Sequence, residues 1–280
     1  MTSTDLGSTD LGSTDLGSTG PGSLRRGRRP ASGEPVLDRA FRILAAFGPD
    51  HRSLSLTSLS ARASLPKPTA LRIARKLAEW GALERVANGE YVIGLRLLEV
   101  ASLAPRGHGL RATALPYLED LHHSTGQHVL LAVRDGNEAV LVERLSARAA
   151  HQVLYRVGGR MPLHSTGVGL ILLAHAPAEV QEAVLAGDLS LEPAESIWPS
   201  GRDLRAVLAA VRRDGVAVAS RQLPEPATSV AAPITDGNGV VAAALSVVTR
   251  SDQTDPAVLR PAVVAIARAV SRAMAAGSGT

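Results

Sequence analysis

The 280-residue sequence predicts an α+β protein with two folded domains. Between residues 36 and 95, three segments with helical spacing of apolar residues precede a hairpin signal. Beyond residue 126, strand-like and helical patterns are interspersed, which is typical of helices packed on an antiparallel sheet. Apolar residues make up 45% of the chain and charged residues 20%, a balance that supports a buried core.

The first 34 residues are predicted to be a disordered tail. Residues 3–17 repeat Ser-Thr-Asp-Leu-Gly three times, and such a polar repeat has no apolar face to bury. Four arginines follow within residues 24–30. They have two interpretations, an arm that contacts DNA phosphates or a solvated charge run on a flexible tail.

Three helices are predicted next. Residues 36–47 repeat apolar side chains at helical spacing, and residues 56–63 form a second, short helix. A third helix covers 66–80 and ends at Gly81. The prolines in its first turn are tolerated because the N–H groups there have no helical partner.

A β-hairpin is predicted after the helices. Residues 82–86 and 90–95 have strand character, and Asn88-Gly89 between them is a strong hairpin turn signal. Three helices followed by a hairpin outline a winged helix-turn-helix over residues 35–94.

Charge supports a nucleic-acid-binding role for this part of the chain. Residues 24–96 contain 14 Lys and Arg against six Asp and Glu, a net charge of +8, whereas residues 97–280 carry −1. On the third helix, Leu71, Ala74, Leu77 and Ala78 share one predicted inner face, and the basic residues lie mostly outside it. The predicted partner is a double-stranded DNA operator, which such a helix enters through the major groove.

The candidate DNA contacts are Lys67, Thr69, Arg72, Arg75 and Lys76 on the helix and Arg85 and Asn88 in the hairpin. An arginine can bond a guanine edge bidentately, and a threonine near a helix start can contact a phosphate. The alternative is an amphipathic surface helix with solvated charges. For Asn88, forming the turn is an equally good explanation.

The rest of the chain predicts a linker and a second domain. An amphipathic helix over 95–104 is broken by Pro105 to Gly109, so 95–109 is interpreted as a linker helix and hinge. The second domain covers 110–275, and 276–280 form a tail. Its predicted elements are a helix at 110–123, strands at 127–134, 138–145 and 151–157, helices at 165–175, 178–186 and 201–214, strands at 215–220, 229–234 and 240–248, and a helix at 256–275.

Composition excludes several classes of function. Cysteine is absent, which excludes disulfides, thiolate metal sites and a cysteine nucleophile. The aromatic content of 2% disfavours a protein that stacks single-stranded bases. No apolar run approaches the roughly 18 residues of a membrane span. The chain is therefore expected to be cytoplasmic, with no membrane partner, and no cofactor fingerprint is present.

The sequence also resembles a known family. Residues 36–104, with the motifs VLDRAFRILAAF, LTSLSARASLPKPTALRIARKL and NGEYVIGLRLLEVASLA, resemble the N-terminal domain of the IclR family of bacterial transcriptional regulators. Residues 110–275 are similar to that family's GAF-like effector-binding domain, most strongly at RVGGRMPLHSTGVG (156–169). The resemblance implies a small-molecule effector and homodimers or tetramers, with repressor versus activator left open.

The resemblance places the effector near a loop and helix start that face the strand from Ser229. The candidate contacts are Leu163, Ser165, Thr166, Gly167, Ser220 and Ser229. The free N–H groups of a helix start favour a carboxylate or another anion, although Ser165 or Thr166 could equally be a helix cap. The chain departs from the family's common Gly-Lys at Gly169-Leu170 and in the acidic stretch matching 220–226, so the family's ligand preferences do not transfer.

Other interpretations remain open at this stage. Arg156, Arg160 and Arg221 could pair with an anionic effector or lie on the surface. His164-Ser165 is a weak sign of a hydrolase, because adjacent residues rarely reach nucleophile–base geometry. His122, His123 and His128 are better explained as ordinary surface residues than as metal ligands, so no metal and no catalytic residue are expected. A module that binds protein partners instead of DNA is the main alternative, and the basic N-terminal segment disfavours it.

Overall fold

The structure is a computed structural model that describes residues 34–146, 155–187, 189, 201–221, 226–252 and 254–277, without the side chains of residues 201, 202 and 221. The predicted tail and its arginine-rich end therefore lie outside the described residues. The chain forms two compact units. The first runs up to Leu77 and includes Arg85–Val92, and the second comprises Ala78–Glu84 and the residues from Ile93 onward.

The N-terminal elements confirm the predicted three helices and hairpin. They are α1 (Val36–Ala45), β1 (Ser53–Leu54), α2 (Leu56–Arg62), α3 (Lys67–Trp80), β2 (Leu83–Arg85) and β3 (Tyr91–Ile93). A three-stranded sheet has the order β1-β3-β2. Strand β1 was not predicted, because two residues are too short to show a strand pattern.

Side-chain hydrogen bonds fix the start of α2 and the turn between α2 and α3. Ser55 caps α2 by accepting the Ser58 N–H at 3.1 Å, and Ser60 Oγ donates to the Leu65 carbonyl at 2.6 Å. The buried face of α3 differs from the predicted one. Ala70, Ile73 and Ala74 are its buried residues, whereas Leu71 is only half-buried. The inner face is therefore rotated away from Leu71.

The linker region is helical over most of its length. Helix α4 (Leu95–Ala101) is followed by a π-helical turn at Pro105–Gly109, which continues directly into α5 (Leu110–Thr125). The predicted helix to residue 104 is thus too long, and the predicted break lies at residues 102–104 rather than at Pro105–Gly109, which are helical. A proline is tolerated at the first position of a helical turn because its missing N–H would have no partner there.

The second unit is built on a six-stranded antiparallel sheet with the order β6-β5-β4-β9-β8-β7. Its strands and remaining helices are β4 (His128–Asp135), β5 (Glu138–Leu145), β6 (Arg160–Pro162), α6 (Gly167–Ala174), α7 (Ala178–Leu185), α8 (Gly201–Asp214), β7 (Ala217–Arg221), β8 (Ala227–Thr235), β9 (Val241–Arg250) and α9 (Pro256–Gly277). Most predicted bounds agree within two residues.

The predicted strand at 151–157 is wrong where it can be compared. Residues 151–154 lie outside the described part of the chain, and 155–157 are not a strand. The edge strand is β6, which pairs with β5. Gly158 explains the difference, because its φ of +76° makes a turn just before the strand.

The sheet separates two apolar clusters. One face packs against α6 and α8, and its cluster includes Ala132, Ala231 and Ala244; we call it the α6 face. The other packs against α5 and α9, and its cluster includes Leu131 and Leu245; we call it the α5/α9 face. Fully burying a Leu or Val side chain contributes about 1.5–3 kcal/mol, so both clusters stabilise the unit.

Within the described residues, no helix combines the length and the apolar character needed to cross a membrane.

Candidate functional sites

Helix α3 presents a basic outer face. Lys67, Arg72, Arg75 and Lys76 are exposed, and Thr69 near the helix start is half-buried. Among the described residues, Lys67, Arg72 and Arg75 have no ion-pair or hydrogen-bond partner. Their charges are therefore available to a polyanion, because an arginine held by a carboxylate would first have to break that pair.

The hairpin between β2 and β3 is braced by its own side chains. The Arg85 Nε–H donates to the Gly89 carbonyl at 3.2 Å. The Asn88 Oδ1 accepts the Glu90 N–H at 3.0 Å, and its Nδ2 donates to the Glu90 carboxylate at 3.1 Å. Gly89 adopts φ +83°, as the Asn-Gly signal predicts. The structure thus gives Asn88 the turn-forming role that sequence reasoning held as its alternative.

Glu90 ties the hairpin to strand β1. Its carboxylate accepts the Ser53 hydroxyl at 2.5 Å as well as the Asn88 amide. These two hydrogen bonds, with the Ser53 bond the stronger cause, lower the pKa of Glu90 below its usual value. The ionised carboxylate therefore helps to hold the position of the hairpin.

The start of α6 is capped by Thr166. Its hydroxyl accepts the Gly169 N–H at 3.0 Å and donates to the Pro162 carbonyl at 3.2 Å. Leu163, 1% exposed, belongs to the α6-face cluster, as does the fully buried Leu170. Of the predicted contacts in this loop, Thr166 has its hydroxyl satisfied within the protein and Leu163 supplies only an apolar wall.

Of the predicted contacts in this loop, Ser165 and Gly167 remain as candidates for contact with an effector. Ser165 is 8% exposed, and its Oγ has no hydrogen-bond partner in the described protein. A Cβ added to Gly167 would lie 2.4 Å from Ser229 Oγ and 3.3 Å from Ala231 Cβ. The structure thus brings the start of α6 against β8 at Ser229, as predicted, and only glycine allows this approach.

A further serine, missed in the sequence, lies on the same face. Ser246 is 0% exposed, and its Oγ also lacks a hydrogen-bond partner among the described residues. It stands on β9 beside Ala231 of β8, between two residues of the α6-face cluster, Ala244 and Val248. An unpaired buried hydroxyl costs about 1–3 kcal/mol, so two of them on one face require an explanation. The sequence does contain a signal for Ser246, because it is the one polar residue within the apolar run of 241–248.

Ser220 lies apart from this group. It pairs with Thr228 on β8, and its hydroxyl is 3.2 Å from the Thr228 hydroxyl, on the α5/α9 face. Ser229 instead pairs with Ala219, which belongs to the α6-face cluster. The structure therefore does not bring the Ser220 side chain together with the other predicted effector contacts.

The predicted anion-binding arginines are not assembled at this loop. Arg160 pairs with Asp135 at 2.7 Å and Glu138 at 3.1 Å. The hydrogen bonds that Arg160 donates to these carboxylates raise its pKa, and the bond to Asp135 is the larger cause. Arg156 donates to the Val157 carbonyl at 3.4 Å, and the Arg221 side chain lies outside the described residues.

The hydrolase and metal interpretations gain no support. In a hydrolase, His164 would be the base that takes the proton of Ser165. Ser165 Oγ has no hydrogen-bond partner in the described protein, so His164 does not contact it in that way. Among the described residues, no group of three or more His, Asp or Glu side chains is arranged to hold a metal ion. His122 and His123 contact backbone carbonyls of Gln127 and Glu119 instead. His128 is only 3% exposed, so its interpretation as a surface residue is wrong.

A helix-turn-helix with a basic outer helix, joined to a sensor unit with a polar site under a buried helix, defines a ligand-controlled DNA-binding protein. Comparison with known proteins agrees. Residues 36–87 match the IclR helix-turn-helix domain, and residues 104–276 match the C-terminal domain of bacterial transcriptional regulator IclR. The chain belongs to the IclR family and is a transcriptional regulator with a DNA-binding domain and an effector-binding domain.

Three similar proteins illustrate the match. The HTH-type transcriptional regulator XynR of Escherichia coli is 29% identical, over 80% of this chain and 89% of that protein. The glycerol operon regulatory protein of Streptomyces coelicolor is 31% identical, over 86% and 96%. An IclR homolog from Microbacterium hydrocarbonoxydans, solved with 4-hydroxybenzoate, is 35% identical over 86% of this chain and all of that chain, with a TM-score of 0.80.

Proposed function

We propose that α3 is the recognition helix and that Arg72 and Arg75 read base edges in the major groove. The observation that carries this assignment is that both side chains are exposed on the outer face of α3 and have no partner among the described residues. Lys67, Thr69 and Lys76 then contact phosphates, and Arg85 reaches the backbone from the hairpin. Asn88 contributes mainly by shaping the turn that carries Arg85.

The proposal divides the chain by role. Residues 35–94 bind DNA, 95–109 form the linker helix and hinge, and 110–275 bind the effector. The regulator works in the cytoplasm, where its operator is, and no catalytic step is part of its action. The family matches to residues 36–87 and 104–276 support the two main parts of this division.

We infer a homodimer that uses α4. Leu95 and Leu98 on α4 are 62% and 64% exposed, and Leu103, two residues beyond the helix, is 81% exposed; exposed apolar side chains grouped in this way are unfavourable in water. Because one recognition helix reads only a few base pairs, a two-fold dimer on a near-palindromic operator gives the required specificity. Pairs of such dimers would form a tetramer.

The effector pocket that we propose lies on the α6 face, between the start of α6 and strands β8 and β9. Ser165 and Ser246 offer unpaired hydroxyls, Ser229 a half-buried one, and the first turn of α6 offers N–H groups without helical partners. These donors favour a small molecule with a carboxylate at one end. A small aromatic carboxylate is our first candidate, because the similar Microbacterium protein was solved with 4-hydroxybenzoate.

A gel shift tests this function. The purified protein is titrated against the DNA that flanks its own gene, at two salt concentrations and with and without 4-hydroxybenzoate. We expect a shifted band that weakens with salt, since phosphate contacts release counterions, and that is lost in an Arg72→Ala/Arg75→Ala protein. Binding that survives both the double substitution and high salt would contradict the assignment. If the flanking DNA is not bound, selection from genomic fragments supplies the operator.

A further inference from the structure

A second cavity lies away from the proposed effector pocket. It has a volume of about 620 Å³, within the range of roughly 300–1,000 Å³ that is usual for small-molecule sites. Its walls come from the π-helical turn, the first turn of α5, the end of β4, the start of β9 and the end of α9. All of these elements belong to the second compact unit.

The apolar part of this cavity belongs to the opposite side of the sheet from Ser165 and Ser246. Leu110 and Val133 line it and are members of the α5/α9-face cluster, and Met274 packs against that cluster. A molecule bound here would therefore be separated from the α6 face by the sheet. The two sites differ in the elements that build them and can be tested independently.

The polar part of the cavity carries two arginines and one acid. The Arg106 guanidinium donates to the Arg134 carbonyl, and Arg134 Nη1 donates to the Gly136 carbonyl at 2.9 Å. Neither has a carboxylate partner among the described residues, whereas Arg160 and Arg205 there do. Backbone carbonyls orient these guanidinium groups without neutralising them.

Asp236 is the acid in this wall, and its role is largely local. Its Oδ1 accepts the N–H groups of Asn238 at 2.9 Å and Val240 at 3.0 Å, which forms the turn between β8 and β9. The charged side chains of the cavity therefore sum to +1, with the two arginines available for an anion. An amphipathic cavity with excess positive charge selects an anion with an apolar body.

We propose that this cavity binds a small organic monoanion, with its carboxylate held by Arg106 and Arg134 and its apolar body against Leu110, Val133 and Met274. The ligand would join the turn that follows α4 to the end of β4. The site is additional to the effector pocket on the α6 face and does not depend on it.

The test uses ¹⁹F NMR of 4-(trifluoromethyl)benzoate titrated with the full-length protein. We expect saturable binding that weakens about tenfold or more in Arg106→Gln and in Arg134→Gln, because a charge-assisted hydrogen bond is lost in each. Arg260→Gln is the matched control, since Arg260 is also exposed and donates to a backbone carbonyl, that of Asp214. Its affinity should equal that of the wild type. Circular dichroism melting curves verify that each variant is folded.

Three further measurements separate the possible results. The cation 4-(trifluoromethyl)benzylamine should not bind at this cavity, and a Ser165→Ala/Ser246→Ala protein should keep the arginine-dependent benzoate site. Gly109 lines the cavity, has helical φ and ψ, and has no atom within 4 Å of an added Cβ. A leucine is therefore accommodated there, and Gly109→Leu should weaken binding because its side chain occupies the cavity. Absence of saturable binding, equal binding of the amine, or affinity unchanged in both arginine variants would overturn the proposal. Loss of binding only in the serine variant would do the same.

Discussion

Helices α3 and α6 build their sites in opposite ways. On α3 the functional groups are long, charged and exposed, and the buried face serves only to hold the helix in place. All eight residues of α6 are buried, and the proposed site at its start consists of three serines, a glycine and backbone N–H groups. The proposed DNA-binding surface can therefore be predicted from the charged residues in the sequence. The proposed ligand pocket is made of small residues and can be recognised only once the neighbouring strands are placed.

The largest effect is expected on operator affinity, from substitutions on the exposed face of α3. Replacing Arg72 and Arg75 by alanine removes two guanidinium groups, each worth about 1–3 kcal/mol if it reads a base. Fluorescence anisotropy with a labelled operator should show a loss that approaches non-specific binding. An Arg260→Ala protein, changed at an exposed arginine of the second unit, should bind as the wild type does. Normal operator affinity in the double variant would remove α3 from the recognition role.

A steric block at α6 comes next. In Gly167→Val the added Cβ would lie 2.4 Å from Ser229 Oγ and 3.3 Å from Ala231 Cβ, so Ser229 or the start of the helix must shift, and the valine side chain fills the proposed pocket. We expect 4-hydroxybenzoate binding to disappear in calorimetry while operator binding persists. Gly48→Ala is the control, since an added Cβ there meets nothing within 4 Å. Unaltered ligand affinity in the valine variant would move the pocket elsewhere.

A smaller effect is expected at Ser246, where a substitution should change protein stability and ligand affinity in different ways. Ser246→Ala removes a buried hydroxyl that has no partner among the described residues, so chemical denaturation should show equal or higher stability, while ligand affinity falls by about 0.5–1.5 kcal/mol. Ser60→Ala provides the contrast, because that hydroxyl donates to Leu65 at 2.6 Å and its loss should destabilise the protein. If Ser246→Ala lowers stability and leaves ligand affinity intact, the hydroxyl is structural.

The smallest effect concerns pH and the hairpin. The pKa of Glu90 is lowered in the folded protein, chiefly by Ser53. Its contribution to stability is therefore present above the ordinary carboxyl pKa of 4.5 and is lost as pH falls through the lowered folded value. Denaturation of wild type and Ser53→Ala between neutral and acid pH should show a difference that shrinks on acidification. A difference independent of pH would exclude the ionised carboxylate as its source.

Local signals fixed most elements of the fold. The Asn-Gly turn, helix stops and apolar periodicity predicted the hairpin, α8 and β5 with bounds equal or close to those observed. Errors arose where long-range contacts decide the structure. The predicted strand at 151–157 was displaced because the pairing of β6 with β5 selects residues 160–162. The buried face of α3 includes Ala70 and Ile73 in place of Leu71, which the spacing of its apolar residues alone did not show.

The candidate sites divide in the same manner. The exposure of Arg72 and Arg75 follows from one helical period, so the sequence sufficed for it. Ser246 could be recognised as a pocket residue only once the neighbouring strands were known. The position of the Ser220 side chain could be predicted only once it was known which residues of β7 and β8 face the same side of the sheet. A single-residue step along an edge strand moves a side chain to the other face of the sheet, and sequence similarity of the flanking motif does not reveal that step.

The unpaired hydroxyls of Ser165 and Ser246 also have a thermodynamic consequence. A compound that supplies them with hydrogen-bond acceptors binds the native protein in preference to the unfolded chain, and mass action then raises the melting temperature with its concentration. At one hundred times the dissociation constant, the gain is about 2.7 kcal/mol. Thermal shifts across a library of small carboxylates would therefore rank candidate effectors before any operator is known.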